Sequence, residues 1–543
     1  MVAMKYPLSR KWISGETNTC RKSRARISVP RMRREDVVAI VLCLAYFVML
    51  YNYVNLQAPV RIPFSPDENS VLSTSGMLIE KQTIFWKSSL NEKYGVKFFR
   101  PRSFTEITSN TYVTTDSIGF VLLIALAMWL RILPFIVPIT AAVAVLAAYG
   151  AIAQVYDKRA GLLVAAILGT LPTFVFFSNA YFDLVPSLSF YLISLVALMK
   201  YVDSSKILHG VLSSLFLAIS ILLRPYTALF IAGYIAAIIV MRKRVSLKSF
   251  VISSASLPVF LVPVFILNQY AYGAPFKIGL TTTINVFELL TSQALGFSAY
   301  WIAFLNHIVL LAPVLFVSGT FGCVGILKRP QSPVEKALLA HLVAVSAISF
   351  AAYGFLTRTY SFYEPNPAAS VSRYLMPVYL LLACCSYIFV KAARDKGPRW
   401  VSTLIISILM ISLVGGSFAS NALPSLLMTQ QRYSAAEQMI HDLPPGSVVF
   451  TRTFDKLVFP LRDVALVYTN SDLADNPDLR FHVPIVNIDT EVIPVIRKLL
   501  IDGVHVFLTE DVDDLADHLV SFGYLITRLD GRFGLREVSL GET

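Results

Sequence analysis

Charge is scarce in this 543-residue chain: Asp, Glu, Lys and Arg make up 15% of it, where soluble domains average roughly 25%. Cysteine is scarcer still. Cys20, Cys43, Cys323, Cys384 and Cys385 form no CxxC pair, and none lies in a segment expected outside the cytoplasm. That argues against a disulfide framework and a cysteine zinc site. The first 34 residues lack acid except for Glu16, against ten Lys or Arg (Lys5, Arg10, Lys11, Arg21, Lys22, Arg24, Arg26, Arg31, Arg33, Arg34). No nucleic-acid reader motif accompanies these charges, so no nucleic-acid partner is expected. No small-residue cleavage site follows the first apolar run, which argues against a cleaved leader. The acidic runs SDLADNPD and TEDVDDLAD lack calcium-loop spacing and its turn glycine, and read as solvated helix starts.

Apolar sequence is abundant, 55% of the chain. Runs able to cross a bilayer, at about 20 residues per span, lie near 36–57, 134–154, 160–178, 182–201, 249–268, 303–326, 335–356, 373–392 and 400–422. The stretch 207–240 is too long for one span and is interrupted by Arg224-Pro225, so it reads as two short helices meeting at a break. Eleven spans result. The shorter run 118–130 is expected not to cross. If it does not, Lys158-Arg159, Lys200 with Lys206, Arg242-Lys243-Arg244, Lys328-Arg329 and the Lys391–Arg399 cluster all share the side of the basic arm.

The expected organisation is a basic cytoplasmic arm at 1–35, then a transmembrane domain at 36–427 with a long first outward loop at 58–133. An extracytoplasmic α/β domain follows at 428–543, where strand patterns alternate with helix patterns. The protein is expected to be multi-pass in a plasma membrane, with its N-terminus cytoplasmic and its C-terminal domain outside.

Isolated charges at the outward ends of apolar helices are the candidate site residues, because charge beside hydrocarbon is costly unless it pairs or serves a ligand. Asp67 and Glu68 stand together in FSPDENS, just past the first span, where a solvated turn is the competing reading. Asp183 opens a span and suits either a helix cap or a site. Arg224 at the helix break would create an anion site from a guanidinium and freed backbone N–H groups; snorkelling is its alternative. Lys277 follows YGAPF, and Arg373-Tyr374 opens a late span; each also suits an interfacial anchor. Three cations facing one surface as two carboxylates do would suit a lipid phosphate. His307 and His341, within or beside spans, read as core or helix-end residues.

These motifs in order resemble the GT-C superfamily of polytopic glycosyltransferases. PDENSVLSTSGMLIEK resembles its first-loop signature, and the small-residue span leading through SNAYFD to LVP resembles its second acidic position. ILLRPYTALF resembles its helix break, and YGAPF and SRYLMPVYLLLA resemble later segments. The nearest branch is the protein O-mannosyltransferase-like and aminoarabinose-transferase-like one, whose donors are polyprenyl- or dolichyl-phosphate monosaccharides. The resemblance implies Asp67 as catalytic carboxylate with Glu68 as its neighbour. It implies Asp183 and Asn179 near acceptor or sugar, and Arg224, Lys277, Arg373 and Tyr374 near the donor phosphate.

No WWDYG-like run is present, which disfavours a lipid-diphosphate oligosaccharyltransferase, and the partner lysine of the aminoarabinose type has four competing matches, Lys81, Lys87, Lys93 and Lys97. Divalent-metal use stays open, with Asp67 and Glu68 as its carboxylates if a metal binds. The expected function is transfer of a monosaccharide to a protein, lipid or glycan acceptor on the outward face. The alternatives are a transporter or flippase of lipid-linked sugars, a lipid-diphosphate-dependent enzyme, and a sugar-binding scaffold. The absence of a visible internal repeat weighs against transport.

Overall fold

In hydrocarbon every backbone N–H and C=O must pair internally, and this chain answers with helices. The computed structural model describes residues 34–57, 63, 65–242, 247–277, 308–356, 370–419, 422–475, 483–529 and 534–541. The basic arm as far as residue 33, the stretch after Lys277 that includes His307, and the loop at 357–369 lie outside the described residues.

The first helix, α1 (Arg34–Gln57), carries Glu35 and Asp36 in its opening turn. Asp36 accepts a 2.7 Å hydrogen bond from the Tyr149 hydroxyl and pairs with Lys158, so the scarce charges hold three helices together at the arm's end. Those partners lie on α5 (Leu133–Val155) and α6 (Lys158–Thr170), the latter capped by the Asp157 carboxylate accepting from Ala160 N–H at 2.8 Å. The expected single span at 160–178 is instead broken. A short helix, α7 (Pro172–Phe177), departs from α6 at 66°, because Pro172 supplies no N–H to continue the ladder. Helices α8 (Leu184–Ser204) and α9 (Ile207–Leu223) pack against each other, α8 also on α5. The expected break at Arg224 is present. Arg224 is extended (φ −148°, ψ 98°), a 3₁₀ turn runs over Pro225–Phe230, and α10 (Ile231–Met241) resumes the path.

Beyond α11 (Leu247–Tyr272), apolar helices cover Pro313–Leu327, Pro333–Leu356, Met376–Lys396 and Arg399–Ala419. Among the described residues six helices are long and apolar enough to cross a membrane, or seven if the bent pair counts as one span. The stretch 207–240 forms two shorter apolar helices, Ile207–Leu223 and Pro225–Met241, meeting at the expected break. The expected span at 36–57 corresponds to α1, and that at 303–326 falls partly outside the described residues. Exposed Val41, Met49, Val259, Ile266, Trp400 and Ile411 give the outer helices an apolar surface suited to lipid.

The first loop, expected to face outward, is structured. It contains α2 (Pro66–Lys81), α3 (Ser89–Tyr94) and a sheet ordered β1 (Trp86–Lys87), β3 (Thr111–Thr114), β2 (Phe104–Thr108). It ends in α4 (Ile118–Trp129), whose 12 residues rise about 18 Å, short of a hydrocarbon core about 30 Å thick. Gly119 brings α4 against α9: a Cβ there would stand 2.1 Å from the Leu222 carbonyl oxygen.

The C-terminal piece is α/β, as its pattern indicates. Its five-stranded sheet runs β5 (Asp463–Leu466), β4 (Val448–Thr451), β6 (Val506–Leu508), β8 (Arg536–Leu540), β7 (Tyr524–Arg528), parallel over the first three and antiparallel beyond. The 427/428 boundary falls inside the continuous Ala422–Asp442 helix. The first loop also completes this domain's core. Phe98 and Phe99 pack with Phe450 and Leu508; Phe104 and Tyr112 pack with Val449, Phe459 and Val464. Leu466 N–H donates to the Phe98 carbonyl at 2.9 Å. The acidic helix starts are less solvated than expected: Asp511 accepts from Thr453 N–H at 2.6 Å, and Asp514 pairs with Arg452.

Two outcomes are expected. Gly119→Ala should lower the thermal midpoint of the purified protein in lipid nanodiscs, since backbone must move to admit the methyl. Phe99→Ala, removing a ring only 1% exposed, should cost about 3–5 kcal/mol and open the first loop to limited proteolysis.

Candidate active site

Asp67 owes its place to the start of α2. Ser65 caps that helix, its hydroxyl accepting from Glu68 N–H at 3.2 Å, and Pro66 occupies the first turn where no N–H is needed. The two neighbouring carboxylates then diverge. Glu68 is 2% exposed and accepts from the Tyr181 backbone N–H, tying the loop to the turn before α8. Asp67 accepts from the Ser103 hydroxyl at 2.6 Å and faces a cavity of about 100 Å³. Asp67 and Glu68 therefore do not converge on one point as a metal pair would. Among the described residues no group of three His, Cys, Asp or Glu is placed to hold a metal.

The same cavity is lined by Asp116, Asp183, Arg224, Arg373 and Tyr374, together with Tyr226 and Tyr272. Asp183 does not cap α8 with its side chain; its carboxylate meets Arg224 Nη1 at 2.6 Å. Arg224 is 4% exposed and also stacks over the Tyr374 ring at 5.3 Å. Arg373 lies between the rings of Phe182 and Tyr374, at 5.5 and 5.2 Å. Its Nε is buried without a hydrogen-bond partner, and among the described residues it makes no ion pair with a carboxylate. A guanidinium held in this way by ring faces can accept an anion.

Tertiary structure does not bring every candidate here. Asn179 is buried and donates to the Val175 carbonyl at 2.9 Å, outside the cavity lining. Lys277 is exposed and also outside it, as are Lys81, Lys87, Lys93 and Lys97. His341 sits in the core, hydrogen-bonded to the Tyr191 hydroxyl at 2.8 Å.

The residue missed by sequence reasoning is Asp116. It follows β3 and closes the cavity, accepting from the Ser70 hydroxyl at 2.9 Å, while the Tyr272 hydroxyl holds its backbone carbonyl at 2.8 Å. Its signal was available: TTDSIGF places one carboxylate directly before the apolar run of α4. Burial, with the negative charges of Asp67 and Asp183 adding, pushes the Asp116 carboxyl well above the usual carboxylate range, against the Ser70 bond and the Arg373 charge.

The cavity thus gathers three carboxyl groups and two guanidinium groups, with the Asp116 carboxyl displaced toward its neutral form relative to an ordinary carboxylate. The arrangement combines a carboxylate held by a serine hydroxyl, a carboxyl group with a raised pKa and a cation without a carboxylate partner among the described residues, all at one cavity. Such parts suit group transfer from a phosphate ester.

No family model matches this chain, and no curated protein matches it by sequence. Among solved structures, ArnT from Cupriavidus metallidurans in the apo state matches with a TM-score of 0.56 at 11% identity, over 92% of this chain and 97% of that one. The same protein bound to undecaprenyl phosphate matches with a TM-score of 0.52 at 11% identity and the same coverage. The oligosaccharyltransferase of Archaeoglobus fulgidus, in complex with Zn and sulfate, gives a TM-score of 0.49 at 14% identity over 92% of this chain and 72% of that one. This chain is thus a polytopic helical membrane protein that shares the fold of ArnT and carries a small C-terminal α/β unit.

A pH experiment follows from Asp116. A carboxyl whose folded value is raised stabilises the fold while protonated and loses that contribution as pH rises from about 4 through the raised value. The thermal midpoint of wild type should therefore decline over that window more than that of Asp116→Asn, which keeps a neutral side chain able to bond Ser70. Parallel curves for the two proteins would contradict the assignment.

Proposed function

We propose that this protein is a membrane glycosyltransferase that moves a monosaccharide from a polyprenyl- or dolichyl-phosphate donor to an acceptor hydroxyl on the extracytoplasmic face. The observation that carries this reading is the shared cavity, in which Asp67 faces Arg373 and Arg224 across a space fit for a small anionic group. The GT-C fold supports it, as does the undecaprenyl phosphate bound to ArnT, a protein of the same fold.

In the proposed reaction the donor phosphate rests against Arg373, whose guanidinium is desolvated and free of a carboxylate partner among the described residues. Arg224 adds a second positive charge, held in direction by Asp183. The acceptor oxygen attacks the anomeric carbon and gives its proton to Asp67. The bond from anomeric carbon to phosphate oxygen breaks, the phosphate leaves with the electron pair, and the sugar inverts. The two guanidinium groups stabilise the charge that grows on the leaving phosphate. Asp116, whose carboxyl is displaced toward its neutral form, offers the phosphate a hydrogen-bond donor in that form. Glu68 holds the turn at Tyr181 and, through it, the wall of the site.

The test uses purified protein in lipid nanodiscs with a panel of polyprenyl-phosphate monosaccharides, reading released polyprenyl phosphate and sugar transfer. Asp67→Asn should abolish turnover by at least about 10²-fold, the range of a lost general base, while keeping the wild-type thermal midpoint. Arg373→Gln should raise the donor KM and lower kcat. Wild-type-like turnover from Asp67→Asn would remove it as the base, and wild-type-like parameters from Arg373→Gln would remove it from the phosphate site.

A further inference from the structure

We propose that the outer α/β unit is part of the catalytic apparatus: Asp455 and Arg102 fix the backbone at Ser103, and the Ser103 hydroxyl orients the Asp67 carboxylate. This rests on Asp67 being the base of the proposed transfer. Ser103 is a positioning residue, and Arg102 and Asp455 act through it.

Asp455 comes from the C-terminal unit and is fully buried. Both its oxygens are taken by one residue of the first loop: Arg102 gives its backbone N–H at 2.7 Å to one and its Nε–H at 2.8 Å to the other. Arg102 Nη2 also donates to the Thr453 carbonyl at 2.8 Å. Thr453 and Asp455 follow β4, the strand flanked by β5 on one side and β6 on the other in the parallel part of the sheet. In α/β folds the point beyond the carboxyl ends of strands that diverge in this way is where ligands bind. Here a side chain of the same polypeptide occupies it.

The next residue holds an unusual backbone. Ser103 has φ 60°, a left-handed conformation that a non-glycine residue keeps only where its surroundings over-determine it. On its N-terminal side the restraint is the Arg102 clamp. On the other, Thr115 N–H donates to the Ser103 carbonyl at 2.9 Å, and Phe104 enters β2 opposite Thr114. Between these fixed points the hydroxyl donates to Asp67 at 2.6 Å. Asp67 is thus aimed by a residue whose conformation the C-terminal unit imposes, not by the transmembrane bundle alone. Docking of the outer unit and alignment of the base are one event.

The experiment uses full-length protein in nanodiscs with a donor that supports turnover. Ser103→Gly tolerates the left-handed backbone and removes the hydroxymethyl group that bonds Asp67. It should lower kcat about ten- to hundredfold, the worth of a hydrogen bond to a charged group, with donor KM within about twofold of wild type and an unchanged thermal midpoint. Asp455→Asn should lower kcat in the same direction. Lys93→Ala removes another loop-to-domain contact, the exposed 2.6 Å pair with Asp502, and should leave kcat unaltered. Wild-type kcat in Ser103→Gly, or an equal fall in Lys93→Ala, would overturn the proposal. A second reading needs no turnover: hydrogen exchange at the Asp67–Ser70 amides should quicken in Arg102→Ala and Asp455→Asn, and unchanged protection would also overturn it. Quickened exchange in a wild-type background that turns over no donor would instead sink the glycosyltransferase reading and leave the mechanical coupling standing.

Discussion

The ion pair between Arg224 and Asp183 is the interaction around which this site is organised. A guanidinium 4% exposed at the end of an apolar helix is tolerable only with a partner, and Asp183 supplies one at 2.6 Å from the start of the neighbouring helix. The pair spans two discontinuities, the extended residue between α9 and the 3₁₀ turn and the turn that begins α8. Irregular backbone at such a depth is stable where it lines a polar cavity. The pair therefore fixes both the place where the bundle opens and the sign of the charge that faces the opening.

Around that pair the electrostatics are nearly balanced. Three carboxyl groups meet two cations here, and burial, with the charges of Asp67 and Asp183 adding, pushes the Asp116 carboxyl well above the usual carboxylate range. Arg373 is then the cation that lacks a carboxylate partner among the described residues, enclosed by the Phe182 and Tyr374 rings. A fold that leaves a guanidinium so desolvated has a place for an anion. The C-terminal α/β unit adds the remaining constraint, since its core takes in Phe98 and Phe99 and its buried Asp455 grips Arg102 of the loop that carries Asp67.

Much of this was legible in the sequence because bilayers punish charge. The same penalty that keeps charges rare makes each survivor conspicuous, which is how Asp67, Asp183, Arg224 and Arg373 stood out, with Tyr374 noted as the neighbour of Arg373, and the structure gathers all five at one cavity. The reasoning was weaker where local pattern does not report direction. Glu68 is adjacent to Asp67 but faces a backbone amide, because successive residues on a helix lie about 100° apart. Lys277 was expected on the same face as the others yet lies outside the lining, since a common face is not a common point. Asp116 was passed over because a single acid before a short apolar run looks like any helix start.

By itself the sequence determined that the chain is a membrane protein, where its helix breaks at Arg224-Pro225, that an α/β unit follows, and which fold its motifs resemble. Those features rest on periodicity, proline and the cost of charge, all of which act within a few turns of chain. Only tertiary structure decided that Asp116 joins the site, that Glu68 leaves it, and that the first loop and the C-terminal unit share one core. Each of these depends on contacts between residues tens to hundreds of positions apart, such as Arg102 with Asp455, and long-range packing leaves no periodic mark in the sequence to be read.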